Sequence, residues 1–196
     1  MTDQERAAIT ALRRGDSGGL EPLFDLYQLR AVRTAFLITG DLPTAEDVVA
    51  DAFLTVYDRI GQFDDRRPFA PWFYRIVVNG ALAIRRQDRR RAPRRGEDAS
   101  ALDRQIDAAP GPEEEATRRE LRQNLVAAIG ALPPAQRAAL VLHHYLEMDE
   151  ASIAQALACP RGTVKWRLYA ARRRLRRLLA EGAAPAPSLG AAKRYQ

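Results

Sequence analysis

Hydrophobic positions along this 196-residue chain recur at spacings of three and four, and stretches that alternate with period two are nearly absent. Leu20, Leu23, Phe24, Tyr27, Ala31, Ala35 and Ile38 fall on one face of a helix that stops near Gly40. Thr44, with Asp47 three residues on, predicts a capping box opening a second helix, whose apolar face is Val49, Ala52, Phe53, Val56 and Ile60 before a stop at Gly61. Residues 62–70 read as a loop. Pro71 then suits the first turn of a long helix that runs through Trp72, Ile76 and Leu82 into a block of arginines. Farther on, Leu121, Leu125, Ala128 and Ile129 form an inward face ahead of Pro133-Pro134, and Ala138, Val141, Leu142 and Tyr145 form another. A third element is expected from Glu150 to Ala158, and a last helix from near Pro160 to about Ala180. The expected fold class is all-α.

Between these two groups of helices the composition changes. Residues 92–117 carry Pro93, Gly96, Pro110, Gly111 and Pro112, few large apolar side chains and the run Glu113-Glu114-Glu115, which together read as a flexible linker. Two small helical domains are therefore expected at 5–91 and 118–180, joined by an acidic linker at 92–117 and followed by a mobile tail at 181–196. Charge sharpens this division. The formal net charge is +6, but residues 85–95 alone carry +6 and residues 96–117 carry −6. All basic residues except Lys165 and Lys193 are arginine, whose planar, permanently charged fork suits phosphate. Two arginine-rich surfaces flanking an acidic strip point to nucleic acid as a partner.

Other chemistry is excluded or disfavoured. A hydrophobic fraction of 46% supports a buried core. The one cysteine, Cys159, rules out an internal disulfide, and the adjacent His143 and His144 make a poor metal pair. Cys159 reads as a packing residue or as a redox-sensitive thiol. No nucleophile with its base, metal-ligand spacing or phosphate-binding glycine loop is present, so neither catalysis nor a cofactor or metal is expected. No apolar run is long enough to span a membrane, and Met1-Thr2-Asp3-Gln4-Glu5 lacks a signal-peptide pattern, which predicts a cytoplasmic protein without membrane insertion.

The most informative stretch is 149–176. Asp149 can cap a helix with Ile153 and Leu157 facing inward, and Cys159-Pro160-Arg161-Gly162 makes a turn into a second helix that buries Val164 and Leu168. Arg161, Thr163, Lys165, Trp166 and Tyr169 then face outward, followed by Arg172 and Arg173. This is the arrangement of a helix-turn-helix, whose second helix offers its first residues to base edges and later ones to phosphates. An ordinary helical hairpin with a solvated arginine face remains the alternative on spacing alone.

The stretch Leu157-Ala158-Cys159-Pro160-Arg161-Gly162-Thr163-Val164-Lys165, with Arg167-Leu168-Tyr169 and Ala171-Arg172, resembles region 4 of bacterial extracytoplasmic-function (ECF) sigma factors of the sigma-70 family. Independently, Leu23-Phe24 with Tyr27, then Ala45-Glu46-Asp47-Val48-Val49 with Phe53, and Trp72 with Tyr74-Arg75-Ile76 and Asn79, resemble region 2 of the same family.

The resemblance implies an RNA polymerase sigma factor that binds core polymerase, melts the promoter −10 element with region 2 and reads the −35 element with region 4. Glu46, Asp47, Asp51 and Asp58 would dock on the polymerase clamp, although a merely solvated acidic helix would look the same. Phe63, Asp64, Arg66 and Asn79 would line the pocket for a flipped −10 base, with Phe63 stacking on it. Arg75, Arg85, Arg86, Arg89 and Arg90 would hold phosphates, and Trp72 is either a core anchor or a nucleic-acid contact. Arg161, Thr163, Lys165, Trp166, Tyr169, Arg172 and Arg173 would meet the −35 element. An indole at 166 replaces the usual small hydroxyl residue, and Ala170 replaces a frequent arginine. Implied partners are core RNA polymerase, promoter DNA and an anti-sigma protein. The two promoter elements lie roughly 70 Å apart, and the 26-residue linker spans at most about 90 Å, so it must be stretched to reach both. The competing classes are a conventional helix-turn-helix regulator, which would leave the first half unexplained, and a sigma mimic that only sequesters an anti-sigma protein, which would have no need of the arginine blocks.

Overall fold

The computed structural model describes residues 1–91 and 112–182, and the side chains of 1–86 and 119–180. Among these every regular element is helical. The chain opens with a helix that hydrophobic spacing did not predict, α1 (Asp3–Arg13). Its start is a capping box: Glu5 N–H donates to Thr2 Oγ1 at 3.2 Å and Thr2 N–H donates to Glu5 Oε2 at 2.5 Å. The first half therefore begins ahead of residue 5. Ala8, Ile9 and Leu12 turn inward, and the chain reverses through a single 3-10 turn at Ser17–Gly19. Only glycine fits at 19, because a Cβ there would lie 2.5 Å from the Ala8 carbonyl oxygen.

Helix α2 (Leu20–Thr39) ends as predicted at Gly40, which takes φ +80 and returns its N–H to the Phe36 carbonyl at 2.8 Å. Helix α3 (Leu42–Arg59) starts earlier than expected. Its cap is Asp41, which accepts the Thr44 N–H at 2.9 Å, and Pro43 occupies the first turn. Thr44 is thus inside the helix, and the Thr44–Asp47 box does not form the cap. After a second 3-10 turn at Ile60–Gln62 comes the loop 63–68, then α4 (Phe69–Arg91) with Pro71 in its first turn. The core of this half is aromatic: Phe73 lies 4.9 Å from Phe53, 5.4 Å from Tyr27 and 5.8 Å from Phe69, ring centre to ring centre. Such pairs add about 0.5–1.5 kcal/mol each beyond area burial.

The second half comprises α5 (Pro112–Gly130), α6 (Pro134–His144), α7 (Glu150–Ala156) and α8 (Arg161–Gly182). Helix α5 starts inside the segment expected as linker, which shortens that segment from its C-terminal end; residues 92–111 and 183–196 lie outside the described residues. The inward face expected for α5 is only partly realised. Leu121 and Leu125 are exposed, because α5 packs through its last turns, where Ala128 is buried and Ile129 joins Leu132, Leu140 and Ala171.

One continuous core crosses between the two helical halves. It runs from α2, α3 and α4 into Ala138, Ala139, Leu142, Met148 and Ile153. At the junction sits Arg137, 2% exposed. Its Nη1 donates to the Ile38 carbonyl at 2.7 Å, and its Nη2 donates to the carbonyls of Leu132, at 3.1 Å, and Gly130. The Ile38 carbonyl belongs to the last turn of α2, where helix carbonyls lack intrahelical partners and a cation is favoured by the dipole. Desolvation, with Arg85 adding repulsion, pulls the Arg137 pKa down to about 10. A second tie is Arg30, whose Nη2 donates to the Tyr145 carbonyl at 2.7 Å while its guanidinium lies 5.7 Å from the Tyr145 ring centre.

Candidate nucleic-acid interface

Helix α3 buries Ala45, Val48, Val49, Ala52, Phe53 and Val56, which forces the intervening positions outward. Asp47, Asp51 and Asp58 share a stripe at helical spacing with Glu46 beside it, all exposed. In the same stripe stands Leu54, 61% exposed. Leu54 lies outside the apolar face expected for this helix, and its offset from Val49, Phe53 and Val56 is the sequence signal that it points outward. An apolar side chain set among carboxylates is a surface that another macromolecule can desolvate.

The loop 63–68 and the first turns of α4 form one wall of a cleft of about 600 Å³. Asp64, Trp72 and Arg75 line it, and Arg66 is exposed beside it. Asp64 is occupied within the loop: its Oδ1 accepts the Arg66 N–H at 3.1 Å and its Oδ2 lies 3.4 Å from Arg67 Nε. Asn79 is exposed one turn beyond Arg75, and Arg86 lies farther along the same helix. The side chains of Arg89 and Arg90 lie outside the described residues. Phe63 also lines this cleft, but its ring is only 3% exposed, packed 5.2 Å from Trp72 and 5.5 Å from Phe69, so in this closed form it supports the loop from below. Trp72 is half-buried on that aromatic cluster and lines the cleft. The opposite wall comes from α7, through Ser152, Gln155 and Ala156.

Asp149 caps α7 as predicted, accepting the Ser152 N–H at 2.7 Å, and that bond holds its carboxyl below the usual range. The turn into α8 is Leu157–Pro160, with Ala158 at φ +46 and the Cys159 N–H on the Ala154 carbonyl at 3.0 Å. Arg161 and Gly162 are already helical. Burial of Val164 and Leu168 in the continuous core sets the phase of α8, leaving Trp166 62% and Tyr169 65% exposed. Lys165, Arg161 and Arg173 are exposed too, and Thr163 and Arg172 are half-buried. Lys165 Nζ lies 3.8 Å from Glu150 Oε2, and Arg172 Nε donates to His144 Nε2 at 3.3 Å. The Cys159 thiol accepts from Arg167 Nη1 at 3.4 Å. One face of one helix thus offers two aromatic rings, a lysine and arginines to a groove, the combination needed for base edges, methyl groups and phosphates. No group of three or more His, Cys, Asp or Glu able to hold a metal ion occurs among the described residues, and none of their helices is long and apolar enough to cross a membrane.

Comparison with known proteins matches the two halves to two regions of one family. Residues 23–91 match the family Sigma-70 region 2, and residues 122–175 match Sigma-70, region 4. The chain is 30% identical over 179 residues to the ECF RNA polymerase sigma factor SigW of Bacillus subtilis, covering 87% of this chain and 94% of that protein. It is 30% identical over 181 residues to the ECF RNA polymerase sigma-E factor of Escherichia coli K12, covering 88% and 91%. Among solved structures it is similar in fold to CnrH in complex with the cytosolic domain of CnrY, with a TM-score of 0.65 at 22% identity, covering 92% of this chain and all of that one. It is also similar to the sigma factor RpoE in complex with the anti-sigma factor NepR from Bartonella quintana, with a TM-score of 0.59 at 24% identity, covering 82% and 94%.

Proposed function

The chain belongs to the ECF sigma factors of RNA polymerase, and from that premise we propose how its residues divide the work of promoter-specific initiation. It binds core RNA polymerase and directs it to promoters as a non-catalytic initiation subunit acting in the cytoplasm. The two functional units are those expected at 5–91 and 118–180, with the start of α1 at Asp3 extending the first and the helical start of α5 extending the second. Glu46, Asp47, Asp51 and Asp58, with Leu54 among them, form the surface for core polymerase. Asp64, Arg66, Trp72, Arg75 and Asn79 meet the unpaired −10 strand, and Arg86, Arg89 and Arg90 continue the path along its phosphates. Phe63 acts beneath that loop as its support. Arg161, Thr163, Lys165, Trp166, Tyr169, Arg172 and Arg173 meet the −35 duplex.

The observation that carries this reading is the exposed pair Trp166 and Tyr169 beside Lys165 and Arg173 on a helix whose phase is set by buried Val164 and Leu168. Large rings held in water on an otherwise ordinary helix call for a partner. The closed packing of the two halves is the resting form. In it α7 covers the cleft of the −10 loop, and elements about 70 Å apart cannot both be engaged. Polymerase binding therefore separates the halves, and an anti-sigma protein acts by opposing that step.

Transcription reconstituted from purified core polymerase and this chain tests the reading, with promoters taken from transcript starts mapped after overexpression. Specific initiation at those starts is expected. Binding of the chain to duplex DNA without any polymerase-dependent initiation would instead make it a conventional helix-turn-helix regulator.

A further inference from the structure

We propose that Arg13, at the end of α1, is a positioning residue for the −10 loop, holding Phe63 to Arg66 in the shape that receives the unpaired promoter strand. The proposal rests on the assignment of that loop to the −10 element.

Arg13 lies ahead of the segment matched to region 2, which starts at residue 23. Its guanidinium reaches across 50 positions to the loop and grips it twice. Nη2 donates to the Phe63 carbonyl at 2.5 Å, and Nη1 pairs with Asp65 Oδ2 at 2.9 Å. A planar fork can hold two acceptors at a fixed separation, so the two bonds set both the position and the tilt of the intervening backbone. Between them stands Asp64, whose carboxylate accepts the Arg66 N–H and faces Arg67. The loop is thus pinned by Arg13 on one side and folded on itself by Asp64, which leaves Arg66 directed by neighbours whose geometry is already set.

The clamp has a firm base. Helix α1 is tied to the aromatic core by Glu5, which is 7% exposed and accepts from the Tyr27 hydroxyl while also capping the helix. Burial raises the Glu5 carboxyl pKa, but the bonds from Tyr27 and Thr2 outweigh it and hold the group below its ordinary value. Gly19 lets α1 lie against the turn that follows it. Every one of these contacts is internal to the first half, so the clamp survives when the halves separate. An exposed ion pair by itself contributes little to folding. Arg13 acts instead by paying in advance the ordering of a loop that would otherwise be ordered when it captures a base.

The test uses holoenzyme reconstituted from core polymerase and the full chain. The probe is a 2-aminopurine-labelled non-template strand spanning the −10 element of a mapped promoter. Arg13→Ala is expected to weaken strand binding about tenfold, with melting temperature and affinity for core polymerase as in wild type. Arg13→Lys, which keeps a cation within reach of Asp65, recovers part of the loss, and Asp65→Asn, which spares the carbonyl bond, loses less than Arg13→Ala. Strand binding by Arg13→Ala within about twofold of wild type, while Arg66→Ala binds poorly, overturns the proposal and leaves the −10 assignment standing. If neither substitution matters, the −10 assignment itself fails. A loss accompanied by a fall in melting temperature and no recovery by lysine reduces Arg13 to a structural prop and also overturns it.

Discussion

Replacing Arg137 with alanine removes a buried cation whose bonds end on three carbonyls: Ile38 in the first half, and Gly130 and Leu132 in the second. Each charge-assisted bond contributes about 1.5–3 kcal/mol. Against this stands the burial penalty seen in the depressed pKa of about 10, together with a buried Nε that has no acceptor. Breaking a buried charged site by removing one partner typically costs about 3–5 kcal/mol, and two carbonyls left buried keep the value near the middle of that range. With a urea dependence of about 2 kcal/mol per molar, the unfolding midpoint should fall by about 2 M. The two tryptophans lie one in each half, at 72 and 166, so in a Trp166→Phe background fluorescence reports the first half alone while far-ultraviolet dichroism reports every helix. In the parent the two signals should coincide, because one core crosses both halves. In Arg137→Ala the dichroism should begin to fall first, since two of the three lost bonds lie within the second half. A midpoint shift below about 0.5 M, or two signals that still superimpose, would refute the reasoning that this guanidinium couples the halves.

Three further outcomes follow from the same geometry. Gly19→Ala should destabilise the chain by about 1–3 kcal/mol in thermal melting, because its Cβ would meet the Ala8 carbonyl oxygen at 2.5 Å. Arg173→Ala should lower the slope of log affinity against log salt for duplex DNA by about 0.9, one phosphate's worth, in a titration of the full chain; an unchanged slope removes Arg173 from the phosphate path. The His144 pKa is depressed by burial, by His143 and by Arg172, so the unfolded chain takes up that proton first and stability should decline as pH falls from about 7 to about 5. His144→Gln, which keeps an acceptor for Arg172, should flatten that decline in urea titrations at the two pH values.

Much of the architecture was legible because its signals are local. Gly40 ends α2 and Asp149 opens α7 through bonds between residues only a few positions apart, and the phase of α8 follows from Val164 and Leu168 alone. Two local signals were overridden or passed over. Thr44 resembles a cap, but Asp41 and Pro43 open the helix first; and Thr2 with Glu5 is a capping box ahead of a short helix whose apolar residues are too few to stand out. Side-chain exposure was harder to read. Phe63 and Leu54 are both apolar residues near a segment end, and which is buried depends on where Phe69, Trp72 and Phe73 arrive from another helix. The same holds for Leu121 and Leu125, which are regularly spaced on α5 but stay exposed among the described residues. Arg137 was invisible as a tie because its acceptors are backbone carbonyls, which every residue possesses.

The continuous core between the halves also changes what a stabilising mutation means. In most proteins better packing at Ala139, Met148 or Ile153 would be neutral or beneficial to activity. If polymerase separates the halves as proposed, the same improvement deepens the closed form from which the chain must be released. Interior residues touching neither DNA nor polymerase would then set the threshold for initiation, and selection on promoter output would favour a junction that is adequately rather than optimally packed.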